Sequence, residues 1–229
     1  MKNQNRINRR GITLIELLVA LVICGLVVAG IYRVFVAQSK AYTVQDQVVE
    51  VQQNIRSAME ILLRDLRMAG FDDDNLNSTV TIANPVVYPV AVDSITVNYE
   101  HYNTTTLIYE RYAVAYWRDA ANSTLLRQLT INDVAGPQEI LLSNVDELNF
   151  RYGLDANDDG VIDDQNADGI IDNNDWVTAA GVGTTKVVAL RVLLKARPDQ
   201  TNQDVQKMVS PRTLESKVTL RNQCLIRFN

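Results

Sequence analysis

From Ile12 to Tyr32 the chain reads ITLIELLVALVICGLVVAGIY, and Glu16 is its only ionisable side chain apart from the weakly acidic Cys24 and Tyr32. At about 1.5 Å of rise per residue, a helix of that run is roughly 30 Å long, the thickness of one bilayer core. The residues ahead of it include Lys2, Arg6, Arg9 and Arg10 and no acid. Clustered Lys and Arg stay on the cytoplasmic side of a single span, so the bulk of the chain is expected outside the cytoplasm. A secretory signal places a small-residue cleavage site after its apolar run. Here the sharp break lies before the run, at Arg10-Gly11-Ile12, and the apolar segment is expected to be kept after processing.

Glu16 is the odd residue of the span. A carboxylate within a membrane helix costs about 2.5–3.5 kcal/mol on insertion scales and is usually paired or functional. The span holds no Lys or Arg to answer it. A cut after Gly11 would create an α-amino group on Ile12, on the same helical face as Glu16, and the charge could be met within one chain or between neighbours. The stretch RRGITLIELLVAL closely resembles the amino-terminal motif of type IV prepilins and pseudopilins. That resemblance implies cleavage after Gly11 by prepilin peptidase, N-methylation of Ile12, and a role for Glu16 in registering subunits within a filament. Two departures stand out: Ile12 occupies a position where the family usually has Phe, and no proline precedes Pro85, where many pilins kink this helix. Gly25 and Gly30 are the local weak points instead. The plainer alternative is a signal anchor whose Glu16 faces a membrane partner.

Charge narrows the partners. The whole chain carries 22 Lys and Arg against 27 acids, and removing the four cations of the leader leaves 18 against 27, a formal charge of −9. Such a balance disfavours nucleic-acid backbones and anionic lipid, so no nucleic-acid partner is expected. The two cysteines, Cys24 in the span and Cys224 near the end, cannot meet in one chain, and no internal disulfide is expected. Many members of the resembled family staple their carboxyl-terminal region with a Cys pair, so another device must hold it here.

Beyond Arg33, Val44, Val48, Val51, Ile55, Met59, Leu62, Leu66 and Ala69 recur at steps of three and four, an apolar stripe on one helical face. One helix is predicted from Ile12 to Met68, ended by Gly70, with its first half projecting and its second half packed on a sheet rather than forming a coiled-coil seam. Residues 71–85 read as a polar linker with a short strand at Thr79 to Ile82. Strands are then predicted at Ser94–Tyr102, Leu107–Trp117, Ser123–Thr130, Ile140–Tyr152, Lys186–Ala196 and Lys217–Phe228, with a turn at Asp119–Asn122, as an antiparallel meander. The size, the run NVDELNFRYGLDANDDG and the closing KVTLRN resemble minor pilins of the PilW type and their J-type pseudopilin relatives in type II secretion.

The run Asp155–Asp175, DANDDGVIDDQNADGIIDNND, holds eight aspartates, and there is no basic residue between Arg151 and Lys186. Asp164, Asn166, Asp168, Gly169, Ile170, Asp172 and Asp175 resemble an EF-hand calcium loop: oxygens at alternate positions, a Gly for the sharp turn, a backbone carbonyl at Ile170 and a closing acid. The closing Asp is shorter than the usual Glu. Nine residues earlier, Asp155, Asn157, Asp159, Gly160, Val161 and Asp163 begin the same pattern, but its twelfth position is the neutral Asn166, already used by the second loop. No helix is predicted beside either loop, so tandem structural calcium loops are the nearer likeness, stapling the Phe150 and Val188 strands. Ca²⁺ suits such a cage of oxygens better than Mg²⁺. The bland alternative is a solvated acidic insertion with Asp-Gly turns.

No catalytic constellation is legible. The one histidine, His101, lies on a Tyr-rich strand with no Ser- or Cys-centred motif to serve, and the tyrosines around it are first explained by sheet propensity. The resemblance implies an α+β, type IV pilin-like fold: leader 1–11, membrane and filament-core segment 12–33, amphipathic helix 34–70, and an antiparallel β region 71–229 carrying the loop 155–175. It implies a minor pilin that works by assembly, with prepilin peptidase, other pilin subunits and the inner-membrane assembly platform as partners. A bacterial inner-membrane precursor, then a pilus or periplasmic pseudopilus, is the implied location. A type II secretion pseudopilin and a membrane-anchored calcium-dependent adhesin are the alternatives.

Overall fold

The computed structural model describes residues 12–72, 78–89, 94–198 and 210–224. The expected leader, Gly11 included, lies outside them. The chain divides into two compact units, residues 1–46 and 47–229. One helix, α1 (Leu14–Arg67), runs through the boundary. In the first unit every side chain from Ile12 to Phe35 is exposed, and the helix is long and apolar enough there to cross a membrane by length and composition. In the second unit the predicted stripe is buried: Val51, Ile55, Met59, Leu62 and Leu66 all enter the core.

Two antiparallel sheets complete that core. The first has the order β1-β2-β3-β4-β5, from β1 (Val86–Val87), β2 (Ser94–Asn103), β3 (Ile108–Asp119), β4 (Thr124–Ile131) and β5 (Val134–Leu142). The second has the order β7-β6-β8-β9, from β6 (Val145–Asp155), β7 (Trp176–Val177), β8 (Lys186–Ala196) and β9 (Arg212–Thr219). Alternate residues face inward, as the period of two requires: Ile95, Val97 and Tyr99 on β2, Val114 and Tyr116 on β3, Leu148, Phe150 and Tyr152 on β6, and Leu190, Val192 and Leu194 on β8. The short helices α2 (Ala179–Val182) and α3 (Arg221–Cys224) lie before β8 and after β9.

Three expectations are corrected. The single strand predicted over Ile140–Tyr152 is two strands in different sheets, because Ser143 and Asn144 turn the chain, Asn144 with φ 58°. The pairing predicted near Thr79–Ile82 is made by Val86 and Val87 against Val97 and Thr96. The closing strand starts earlier, at Arg212, and stops at Thr219, where Leu220 is buried and the chain enters α3; the end of the predicted strand, 225–228, lies outside the described residues. By contrast, β8 spans the predicted Lys186–Ala196.

One polar group is buried where α1 meets the first sheet. Asp65, 4 % exposed, accepts from the Tyr116 hydroxyl at 2.6 Å and from Arg127 Nε at 2.9 Å. Arg127 Nη1 also donates to Glu139 at 3.1 Å. A helix carboxylate is thus tied to β3 and β4 at once, and Arg127 links it onward to β5.

The same burial has a pH consequence. Burial first, and then the Asp65 carboxylate, push the Tyr99 phenol up to about 12. Burial also raises Tyr116 and Tyr152 above the ordinary phenol range. The folded chain therefore holds protons that the unfolded chain releases above about pH 10. Stability is complete below that point and falls as pH rises from about 10 through about 12. In an alkaline titration, phenolate absorbance from these three tyrosines should appear together with loss of near-ultraviolet dichroism. Full phenolate absorbance at pH 10 with the dichroism intact would contradict this.

Candidate functional sites: the helix start and the acidic double loop

The first site lies in the first unit. Thr13-Leu14-Ile15-Glu16 forms a reciprocal cap: Thr13 Oγ accepts from the Glu16 N–H at 3.3 Å, and Glu16 Oε2 accepts from both the N–H and the Oγ of Thr13 at 2.9 Å. This is a capping box, in which helix-end donors are satisfied by two side chains that hold each other. It explains why α1 starts at Leu14 rather than at the predicted Ile12. Within the chain Thr13 answers one of the Glu16 oxygens with two neutral donors, which leaves the charge itself without a cation. Oε1 accepts no hydrogen bond among the described residues and is free for a further donor. The T-x-x-E spacing was the sequence signal for Thr13, and the reading by charge passed over it.

The second site is the acidic double loop in the second unit. Its halves repeat one backbone conformation nine residues apart. Asp158 and Ala167 have φ 61° and 58°, and Gly160 and Gly169 have φ 80° and 84°. The side-chain bonds repeat as well. Asp155 accepts from the N–H groups of Asp159 (3.2 Å) and Gly160 (2.8 Å), and Asp164 accepts from those of Asp168 (3.3 Å) and Gly169 (2.6 Å). Asn157 and Asn166 accept from the Asp159 and Asp168 N–H groups. Asp159 and Asp168 accept in turn from those of Val161 and Ile170. The Gly169 N–H, against a smaller opposing effect of burial, holds the Asp164 carboxyl below the usual carboxylate range.

Closure differs from the spacing argument. Asp175, fully buried, accepts from Gln165 N–H at 2.8 Å and Asp172 N–H at 2.6 Å, so that the twelfth position closes the second loop through backbone hydrogen bonds. In the first loop Asp163 takes the equivalent place, accepting from Ala156 N–H at 2.6 Å, so that loop closes on itself without Asn166. A single 3-10 turn, Asn173–Asp175, follows where no helix was expected, and Asp172 caps it by accepting from Asn174 N–H at 2.7 Å. Among the described residues no three His, Cys, Asp or Glu side chains gather to hold a metal ion; the carboxylates are turned onto backbone N–H groups. The donor set itself, carboxylate and amide oxygens at alternate positions with a carbonyl after each Gly-turn, is that of a hard cation.

The loop is fixed to the second sheet by apolar and polar anchors. Ile162 packs where a Cβ on Gly153 would lie, 2.9 Å from its Cγ1. Trp176 pairs with Gly153 in register and is 6 % exposed, with the Lys217 ammonium 5.3 Å above its ring. Lys186 pairs with Asp158, and Arg191 donates to Asn173 at 2.8 Å. The carboxyl-terminal region is held without a disulfide, both cysteines being free thiols. Leu220 is buried and donates its N–H to Val188 O at 2.8 Å, and Asn222 Nδ2 lies 3.3–3.5 Å from the carbonyls of Arg67, Met68 and Ala69.

The aromatic strands form cross-strand pairs, Tyr99 with Tyr112 at 5.7 Å, His101 with Tyr112 at 4.6 Å and Tyr102 with Tyr109 at 5.0 Å. Such pairs are what stabilise neighbouring strands.

A single helix that opens on a capped, acid-bearing apolar segment and packs its second half on antiparallel strands defines a type IV pilin-like subunit, and residues 6–32 match the prokaryotic N-terminal methylation motif. Residues 111–226, just over half of the chain, match the model of type IV pilus-assembly protein W. The chain belongs to that family. Among solved structures it is similar to the type IV-like pilin TTHA1219 from Thermus thermophilus, at 13% identity and a TM-score of 0.48, over 75% of this chain and 97% of that one. No curated protein sequence matches it.

Proposed function

We propose that the chain is made as a membrane-anchored precursor, is cut after Gly11 by prepilin peptidase and N-methylated on Ile12, and enters or primes a type IV pilus beside other pilin subunits at the inner-membrane assembly platform. The observation that carries this reading is the presence of both family matches on one chain, with Glu16 at the start of the matched helix. Thr13 fills Oε2 and leaves Oε1 for the Ile12 amine of a neighbouring subunit, a pairing strengthened by the low dielectric of a membrane or filament core. Mass spectrometry of the mature chain should find N-methyl-Ile12 as its first residue, and immunogold labelling should find it on sheared filaments. Retention of residues 1–11, or co-purification with type II secretion components in place of filaments, would sink the reading.

The acidic double loop is the structural part of the same reading, a staple that takes Ca²⁺. Asp155, Asn157, Asp159, Asp163 and the carbonyl of Val161 would hold one ion. Asp164, Asn166, Asp168, Asp172, Asp175 and the carbonyl of Ile170 would hold the other. The ion supplies the positive charge that eight aspartates lack. Support comes from the repeated φ values and repeated Asx bonds, which give both halves one shape. A ligand that binds only the folded state stabilises it by about 2.7 kcal/mol at a hundredfold excess over Kd. Thermal melts of the chain should therefore shift upward with Ca²⁺, less with Mg²⁺, and return with EGTA. Identical melting temperatures in Ca²⁺ and in EGTA would remove the ion from the account.

A further inference from the structure

We infer that α3 is a latch joining the first acidic loop to the end of α1, so that the seating of Gly160 against Cys224 adds to the hold on the last residues of the long helix. A helix end leaves several carbonyls without partners. Those of Arg67, Met68 and Ala69 lie 3.4, 3.5 and 3.3 Å from Asn222 Nδ2, the Met68 carbonyl accepting also from the Phe71 N–H at 2.9 Å. Each contact is long, and the helix end is also tied to β2 by the Gly70 N–H donating to Asn98 O at 2.8 Å, so α3 adds to that hold through its placement rather than through any one bond. The Gln223 side chain lies in the space a Cβ on Gly70 would need, and Gly70 has φ 71°.

On its other side α3 rests on the loop. A Cβ on Gly160 would lie 2.6 Å from the Cys224 carbonyl oxygen and 3.3 Å from its Cα, a collision with backbone that no rotamer relieves. Cys224 Sγ reaches Val188 O at 3.7 Å, and Leu220 anchors the start of the turn on the same residue. The turn is thus clamped between loop and helix with no covalent link, which is the role a disulfide would otherwise fill. The coupling goes beyond the filament reading and needs no ion in the loop.

The repeat supplies its own control. Gly160 and Gly169 share the left-handed conformation, at φ 80° and 84°, so alanine strains both alike. A Cβ on Gly169, however, meets nothing within 4 Å. Amide hydrogen exchange on the full-length chain in detergent tests the difference, with β3 and β8 as the check on folding. Gly160→Ala should raise exchange over residues 62–70 roughly tenfold, and Gly169→Ala should raise it only in its own loop. Asn222→Ala, a change at a partly exposed polar residue, should raise exchange at the helix end and also, reciprocally, over 156–163 but not over 165–171. Equal effects of the two glycine changes on the helix end would overturn the latch, and so would an Asn222→Ala effect confined to the helix end.

Discussion

Alanine at Glu16 is expected to cut incorporation of the chain into filaments by at least about tenfold while leaving membrane insertion and cleavage after Gly11 unchanged. The span stays apolar without the carboxylate, and insertion scales make the change favourable rather than costly. What is lost is the one charge in the segment, and with it the proposed partner for a neighbour's amine in a medium where an unpaired charge is expensive. The capping box separates this from a simple weakening of the helix start. Glutamine at position 16 keeps an acceptor for Thr13 and so should keep the helix start, yet it carries no charge and should assemble as poorly as alanine. Filament fractions probed for each variant, alongside the processed and unprocessed forms in membranes, give the comparison. Wild-type incorporation of the alanine variant would remove Glu16 from assembly, and rescue by glutamine would shift its role from charge to capping.

Arg127→Ala should destabilise the second unit by about 3–5 kcal/mol, because it leaves the buried Asp65 carboxylate with the Tyr116 hydroxyl and only the longer, 3.3 Å contact of the largely exposed Arg64. For a chain of this size each kcal/mol lowers Tm by about 2–4 °C, so a drop of roughly 6–20 °C is expected. Tyr116→Phe keeps the ion pair and should cost about 1 kcal/mol. The triple change Asp65→Leu, Arg127→Met and Tyr116→Phe removes both charges and the hydroxyl they bond, and should recover most of the loss, since an apolar cluster avoids the desolvation that the ion pair must offset. A loss below 1 kcal/mol for Arg127→Ala would mean that water reaches Asp65.

Much of this architecture is written in local periodicity. The stripe from Val51 to Leu66 names the buried face of α1, and KVVALRVLLKA alone delimits β8. What could not be read was where the chain changes layer. Ile140 to Tyr152 is rich in strand formers on both sides of Ser143-Asn144, so a two-residue corner between sheets looks like one continuous strand. The start of β5 fell in residues 131–139, to which no element was assigned: Gly136 and Pro137 weaken a strand signal, yet an edge strand tolerates proline because one side of its ladder is unpaired. In the acidic loop the spacing marked the nine-residue repeat and the Asp-Gly turns, while the bonds the side chains make to backbone N–H groups were not legible. The spacing also missed the shorter closure at Asp163, which depends on an Ala156 N–H that carries no side-chain signal. The bond between Asp65 and Arg127 joins residues 62 positions apart, and nothing in either neighbourhood announces the other.

That distant bond bears on how freely the helix sequence can drift. A stripe of aliphatic side chains resists rotation about the helix axis only gradually, since neighbouring orientations bury nearly as much carbon. A carboxylate held by a phenol on one strand and a guanidinium on the next has a single acceptable azimuth. With orientation set by one polar residue, Leu62, Met59 and Ile55 become interchangeable with others of similar volume. Variation along this face should therefore be wide in aliphatic identity and narrow at position 65.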